Sequence, residues 1–483
     1  FGEGVQGVAE AGREYKTLLP KASWAQQNPE DWWKGVAESI RSILTESRIA
    51  PEDIKVISVS SQAPAVLPMT KEGEPLHDAL IWMDRRSTKE LEILEEKIGT
   101  KKVYEITGNR LHPHFTLTEL MWFLRNHPDM MKKCHKILQV NGYINYKLTE
   151  VFSIDATHAS LTQLYDVHNN CWSEELFEAI GGDTKIMPDI YDCMDVIGHV
   201  SKKAAEETGL STKTVVLGGA VDASAAALEV GVYGDGSIAE MTGTSSVVMF
   251  GFDGLVTCNE LSYLRGVKEN TTILFGAMNT AGGSLKWFRD ALYGGETPQN
   301  DAYPRINKEI EAGAKNPTGL IFLPYMAGER APIWDPNARG TFMGLNMNTT
   351  RAEMLRAVME GTSFALQDNL DQAIKTGIPI RDFICCGGCS KSDIWLKIKA
   401  SVIGQEIKIP SVNLGAPGGL GYMNAAFMGE YKTPEDASRA ALQIKKIVEP
   451  VEEWIPIYKE LYQIYLDSYQ SLKSQFAALA QIK

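Results

Sequence analysis

The sequence predicts an α/β protein built from two similar halves that face each other across a cleft. Three observations lead there. Strand-like and helix-like segments alternate through most of the 483 residues, which implies helices layered on sheets. The length exceeds what a single core organises, so two or three domains are expected. A strand runs into a glycine or Ser/Thr turn near residues 61, 218, 243 and 388, an echo that two α/β halves explain. The change-over falls near YGDGS, which places the halves at residues 1–233 and 234–483. No flexible linker separates them, so they are expected to pack closely.

The elements run in order along the chain. DWWKGVAESIRSILTES, from Asp31, has a polar start and apolar residues at helical spacing, so it reads as an amphipathic helix. IKVISVS, residues 54–60, is apolar and β-branched and reads as a strand. KTVVLGGA is a second strand running into glycine, and SSVVMFGF and TTILFGAM are two more. RAEMLRAVMEGTSFALQDNLDQAIKTG reads as a long helix ended by Gly377. DFICCGG is a strand, and SDIWLKIKASVIG is a helix with Ser392 or Asp393 at its start. SYQSLKSQFAALAQIK closes the chain as a helix.

Composition narrows the function classes. Hydrophobic residues make up 44% and charged residues 23% of the chain, as in ordinary globular proteins. A net charge of -13 argues against nucleic acid and anionic membranes as partners. No apolar run reaches the length of a membrane span. FGEGVQGVAEAGREY lacks the basic start and apolar stretch of a secretory signal, so the cytoplasm is the expected compartment. Seven cysteines, an odd number, fit reduced thiols. Cys385, Cys386 and Cys389 form C-C-x-x-C, but no second ligand pair stands at zinc spacing. They read as the end of a buried strand and its turn, and no metal-ligating residue is assigned.

Four turns carry a phosphate signal. GTSS (243–246), NTAGGS (279–284), GGCSKS (387–392) and NLGAPGG (413–419) are rich in Gly, Ser and Thr. Such turns leave backbone N–H groups free for phosphate oxygens. Singly they are ordinary punctuation; four in the second half point to a nucleotide. No G-x-x-x-x-G-K-[ST] or G-x-G-x-x-G stands between a strand and a helix, which disfavours P-loop and Rossmann sites. Asp222 opens DASAAALEVG. It reads either as a helix N-cap or as a general base that small neighbours let a substrate approach.

GTFMGLNMNTTRAEMLRAVMEG resembles a signature of the FGGY carbohydrate kinases, carried by Gly340, Phe342, Gly344, Leu345, Glu353, Met354, Ala357, Val358, Met359 and Glu360. LPYMAGERAPIWDPNARG, GGAVDASAAALEVGV and CGGCSKSDIWLKIKASVIGQEI resemble further family segments. SWAQQNPEDWW, ALIWMDRRS and YKLTEVFSIDATHAS are similar to its first half, so the likeness runs from about residue 10 to 470. The resemblance implies two actin-like, RNase H-like domains, with ATP and Mg²⁺ in the cleft and a sugar against the first domain. It implies Asp222 as the catalytic base. It implies Gly243, Thr244 and Ser245 as the phosphate turn, Gly282, Gly283 and Lys286 along the nucleotide, and Gly388 and Ser392 in the adenosine loop. A homodimer is an assembly it allows.

Two departures bear on activity and substrate. The family opens with a strand carrying an Asp-x-Gly-Thr turn, whereas FGEGVQGVAEAGREY resembles the family segment just after that strand. The expectation is that the strand lies upstream of Phe1; the competing reading is a non-catalytic sugar- or nucleotide-binding relative. In HFTLTELMW, Glu119 stands where the family has lysine, with Leu120 and Trp122 expected in the core. The substrate loop reads SSQAPAV: Gln62 is followed by Ala63, Pro64 and Ala65. Glycerol kinases place Arg-Glu there, so glycerol is disfavoured and a ketopentose such as xylulose comes first. Ribulose, fuculose, gluconate and erythritol remain alternatives. Gln62 serves the substrate or stabilises a turn. Asp84 serves the substrate or pairs with Arg85 or Arg86.

Overall fold

The apolar runs of the second half assemble into one seven-stranded sheet. In a computed structural model, which describes residues 1–292, 299–377, 379–411 and 414–482, its order is Ser262–Arg265, Thr271–Met278, Ser246–Asp253, Ser237–Thr242, Asp382–Gly387, Ile407–Pro410 and Ile444–Val448. Ser237–Thr242 runs parallel to Asp382–Gly387, which runs parallel to Ile407–Pro410. The remaining pairs are antiparallel. The helix Arg351–Ile374 starts at a capping box in which Thr350 and Glu353 exchange side-chain and backbone hydrogen bonds. Such a cap stabilises a helix by about 1 kcal/mol. Val358, Phe364 and Leu366 of this helix join the core under the sheet, with Phe322, Tyr458 and Tyr465.

The first half is made of shorter strands. Ala65–Met69 lies between Ala79–Ile81 and Lys136–Leu138, with Gln26–Gln27 at one edge. Val215–Leu217 pairs parallel with Val56–Ile57, and Ala220–Val221 pairs parallel with Ser60–Ser61. The expected strand 54–60 is therefore two pieces. The break lies where Gly219 (φ 82°) presses on Val59: a Cβ on Gly219 would sit 2.1 Å from the Val59 carbonyl oxygen. The second half repeats the device. Gly387 (φ 84°) packs on Thr242, where a Cβ would come 2.3 Å from the carbonyl oxygen. Only glycine combines this φ with so close a backbone approach. The echo read in the sequence thus has a physical basis in each half.

Two other bounds differ from expectation. The long helix stops at Ile374, and Lys375–Gly377 form a turn in which the Gly377 N–H donates to the Ile374 carbonyl. The closing helix begins earlier, spanning Ile455–Ile482. Leu120 and Trp122 are buried. The helix Asp222–Glu229 packs against Ala416–Phe427, where a Cβ on Gly419 would meet the Ala225 carbonyl oxygen at 1.9 Å. No linker intervenes between the halves at this contact. Among the described residues, no helix is long and apolar enough to cross a membrane.

Candidate active site

The hairpin turn Gly243–Ser245 joins strands Ser237–Thr242 and Ser246–Asp253. The Gly243 N–H donates to the Ser245 carbonyl at 2.8 Å. The carbonyls of Gly243 and Thr244 accept from Gly282 (3.1 Å), Ala281 (3.0 Å) and Gly283 (2.8 Å). The turn is thereby clipped to the start of helix Gly282–Leu292. A Cβ on Gly282 would lie 2.3 Å from the Gly243 oxygen, so glycine is required there. Among the described residues, the Thr244 and Ser245 N–H groups have no protein acceptor. Two free donors on a fixed turn suit an anionic oxygen.

A cavity of ≈ 580 Å³ opens beside this turn, and Gly243, Thr244, Gly282, Lys286, Gly388 and Ser392 all line it. Ser245 and Gly283 are not among its lining residues. Asn413 lies outside the described residues. The cavity also takes Arg289, Tyr303, Asn307, Lys391 and Trp395, which sequence reading did not single out. Asn307 accepts a hydrogen bond from the Ser392 hydroxyl at 2.9 Å. Its helix carries no glycine turn, so nothing in the local sequence marked it. Ser392 is the N-cap of helix Asp393–Ile403, its side chain accepting from the Trp395 N–H.

A buried ion pair lies beneath the floor, and it too was missed. Lys399 Nζ is 2.6 Å from both Glu240 oxygens, 3.0 Å from Thr242 Oγ1 and 3.4 Å from Cys389 Sγ. Glu240 also accepts from the Thr242 and Ser246 hydroxyls. Burial alone would raise the Glu240 pKa, but Lys399 and these hydroxyls outweigh it and hold the pKa below the ordinary value. The group ties the phosphate turn to the 388–392 loop. The available signal was a lone acid in one apolar run and a lysine, two residues after Lys397, in another. Cys385 and Cys386 end the buried strand and Cys389 sits in the following turn, with the Sγ atoms of Cys385 and Cys389 3.3 Å apart.

On the first half, Asp222 is the first residue of its helix and Val221 is the cap. The N-cap reading therefore fails by one position. Asp222 Oδ1 accepts the Ala223 N–H at 2.7 Å, and Oδ2 has no protein partner among the described residues. Water reaches the side chain, yet the crowded surround raises its pKa through desolvation, against the Ala223 N–H and His158. The strand before it is held from behind. Val221 N–H donates to Thr157 Oγ1 at 2.8 Å, and Thr157 donates to Asp155. Asp155 also holds His158, whose Nε2 lies 2.9 Å from Ser61 Oγ. One buried polar cluster thus positions both Asp222 and the loop that starts at Gln62.

Gln62 is anchored on both sides. Its Nε2 donates to Gln27 at 2.8 Å, and its Oε1 accepts from Trp82 Nε1 at 3.1 Å. Ala63 is half-buried beside it. Asp84 requires a correction as a substrate ligand. It is 0% exposed, and Arg86 and the Ala25 N–H engage both of its oxygens. Its partner is Arg86, and it shapes the loop from within.

The Gly243–Ser245 turn and its ≈ 580 Å³ cavity on one α/β half, with an unpartnered carboxylate oxygen on the other, suit a kinase-type phosphotransferase. Comparison with known proteins specifies which. Residues 3–229 match the N-terminal domain of the FGGY family of carbohydrate kinases, and residues 239–429 match its C-terminal domain. The chain belongs to this family. It is 27% identical to a xylulose kinase of Bacillus subtilis, covering 98% of this chain and 94% of the relative. It is 26% identical to a gluconokinase of Bacillus licheniformis, covering 96% and 92%. A xyloylose kinase from Brucella ovis superposes with a TM-score of 0.88 at 27% identity, covering 96% of this chain and 94% of that one. A gluconate kinase from Lactobacillus acidophilus superposes at 0.92 with 23% identity over 98% and 95%, which speaks for the fold alone.

Carbohydrate kinases of this family use ATP and a divalent metal. The Glu240–Cys385–Cys389 group brings its ligand atoms within 4.8 Å of one another, but the Lys399 ammonium already occupies the carboxylate. Asp222 fits better. Mg²⁺ binds through one or two carboxylates together with phosphates and waters, and Asp222 offers a free, water-reachable oxygen.

Proposed function

We propose that this chain transfers the γ-phosphoryl group of ATP to a hydroxyl of a small polyhydroxylated acceptor, with Asp222 as general base and Mg²⁺ as the metal. One observation carries the reading: Asp222 opens its helix at a water-reachable position with Oδ2 unpartnered, while Thr157 fixes the strand that delivers it. A divalent metal, when bound beside Asp222, would supply charge neutralisation at the phosphates. The protein's part is positioning. The Thr244 and Ser245 N–H groups hold phosphate oxygens, and the cavity beside Gly388 and Ser392 takes the nucleoside. Asp222 accepts the hydroxyl proton late, as the new P–O bond forms. Xylulose and gluconate are the acceptors named by the relatives, and the uncharged Gln62–Ala63 loop by itself separates neither from the other. Seven cysteines, none of them in a disulfide, suit a reducing compartment such as the cytosol.

The test is ADP release by the purified protein over xylulose, ribulose, fuculose, gluconate, erythritol and glycerol. Acceptor-dependent ADP release that collapses in Asp222→Asn supports the reading. Nucleotide and sugar binding by calorimetry, without phosphate transfer to any of them, would replace it with a non-catalytic binding role.

A further inference from the structure

Arg85 and Arg330 are two guanidinium groups at the acceptor side that stand outside every ion pair of the described residues. Among the described residues neither has a carboxylate oxygen within ion-pair distance. Arg85 NH1 donates to the carbonyls of Trp82 and Asp84, both at 2.7 Å. Arg330 Nε donates to Asn279 Oδ1 at 2.7 Å. Their other side-chain nitrogens have no protein acceptor, and none is sealed from solvent. Arg86, next in sequence, behaves differently: it is buried and bound to Asp84.

A chain of contacts links the loops that carry the two, from opposite halves. Ser87, in the Arg85 loop, donates to the Pro113 carbonyl at 2.6 Å. His112, beside Pro113, lies with its ring 6.5 Å from Trp334. The Trp334 N–H donates to the Arg330 carbonyl at 2.6 Å. The loop that holds Arg85 also presents Trp82, 42% exposed, which donates to Gln62. Gln62 follows Ser61, the register partner of Val221 immediately before Asp222.

Of the nearby acids, Glu329 acts on Arg330, but burial raises its pKa to about 7. Asp84 is committed to Arg86. Glu119 is fully buried, with neither oxygen hydrogen-bonded, and burial first, then Asp84, raises its pKa well above the ordinary value. Burial and the charges of Arg85 and Arg330 push the His112 pKa down to about 4, so it stays neutral. Two like charges with solvent-reachable donors to spare are relieved by an oxyanion. Guanidinium groups match carboxylate geometry closely and bind it with charge-assisted hydrogen bonds.

We infer that Arg85 and Arg330 form a carboxylate-recognition subsite, so that the preferred acceptor is a sugar acid rather than a neutral ketose. The inference rests on the sugar-kinase reading of the same cleft. A trigonal oxyanion has two sources here, the acceptor carboxylate and the transferring phosphate. Arg85 stands on the acceptor loop, which favours the acceptor.

The experiment measures kcat and KM of the full chain for D-gluconate, xylulose and ATP, with Arg85→Ala, Arg85→Gln and Arg85→Lys variants. Calorimetry of D-gluconate binding is run alongside as a readout independent of turnover. The expected result is a kcat/KM for gluconate at least 10-fold above that for xylulose. Arg85→Ala and Arg85→Gln raise the gluconate KM and Kd at least 10-fold with ATP KM unchanged, and Arg85→Lys recovers part of the loss. Preference for xylulose with a gluconate Kd indifferent to Arg85 overturns the inference while leaving the kinase reading intact. A rise in ATP KM alone overturns it in favour of the phosphate. No ADP release with any acceptor, together with no gluconate binding, removes both.

Discussion

Replacing Lys399 by methionine leaves Glu240 buried without its cation. In the native protein Lys399 Nζ is 2.6 Å from both carboxylate oxygens, and each residue is 1% exposed. Removing one partner of such a pair costs about 3–5 kcal/mol. An independent bound agrees. The stranded Glu240 can take a proton, which at pH 7 means protonating a group about 2.7 units above its ordinary pKa, at about 1.36 kcal/mol per unit. That caps the loss near 3.7 kcal/mol at pH 7 and near 1.6 kcal/mol at pH 5.5. For a domain of this size each kcal/mol moves Tm by about 2–4 °C, so Lys399→Met lowers Tm by about 7–15 °C at pH 7. Thermal unfolding by scanning fluorimetry at both pH values is the assay. The deficit shrinks by more than half at pH 5.5, and the double variant Glu240→Leu/Lys399→Met regains much of it, because two uncharged side chains leave no stranded charge. ATP affinity drops in the single variant, since Lys399 ties the phosphate turn to the 388–392 loop. A deficit below about 1 kcal/mol at pH 7, or one equal at both pH values, would refute the reasoning, because the stranded-charge cost must follow pH.

The remaining predictions concern the carboxylates and a thiol. Asp222→Asn lowers kcat by about 10²–10⁴-fold with ATP affinity kept, read by ADP release and calorimetry; a change below threefold sinks the base assignment. The Glu119 carboxyl, with no hydrogen-bond partner, has a folded pKa raised by burial. The folded state therefore binds its proton more tightly than the unfolded chain. Its favourable contribution is present at low pH and is lost as pH rises through the folded pKa. Glu119→Gln removes that slope, so Tm falls less from pH 5 to pH 8 than in the parent; parallel profiles count against it. Cys389 lines the nucleotide cavity, and its pKa is lowered by the Cys385 thiol and Lys399 against burial. Iodoacetamide labels it more slowly with ATP present, by peptide mass spectrometry; equal rates with and without ATP would exclude that placement.

By itself the sequence determined the α/β class, the two halves and the Gly/Ser/Thr turn at 243–245, because these rest on local properties. Periodicity sets helix or strand, and Gly219 and Gly387 mark strand exits that only glycine can make. Family motifs supplied Asp222, but its neighbourhood in the chain left cap and base equally open. Three-dimensional packing decided what depends on distant residues. Asp84 lost a substrate role because Arg86 and Ala25 enclose it. Glu240 and Lys399, 159 positions apart, meet only through the sheet and its covering helix. Arg85 and Arg330 acquire meaning together, as two like charges from opposite halves that form no ion pair among the described residues. Coulomb energy and desolvation depend on separation and solvent access, and neither is written in the local order of residues.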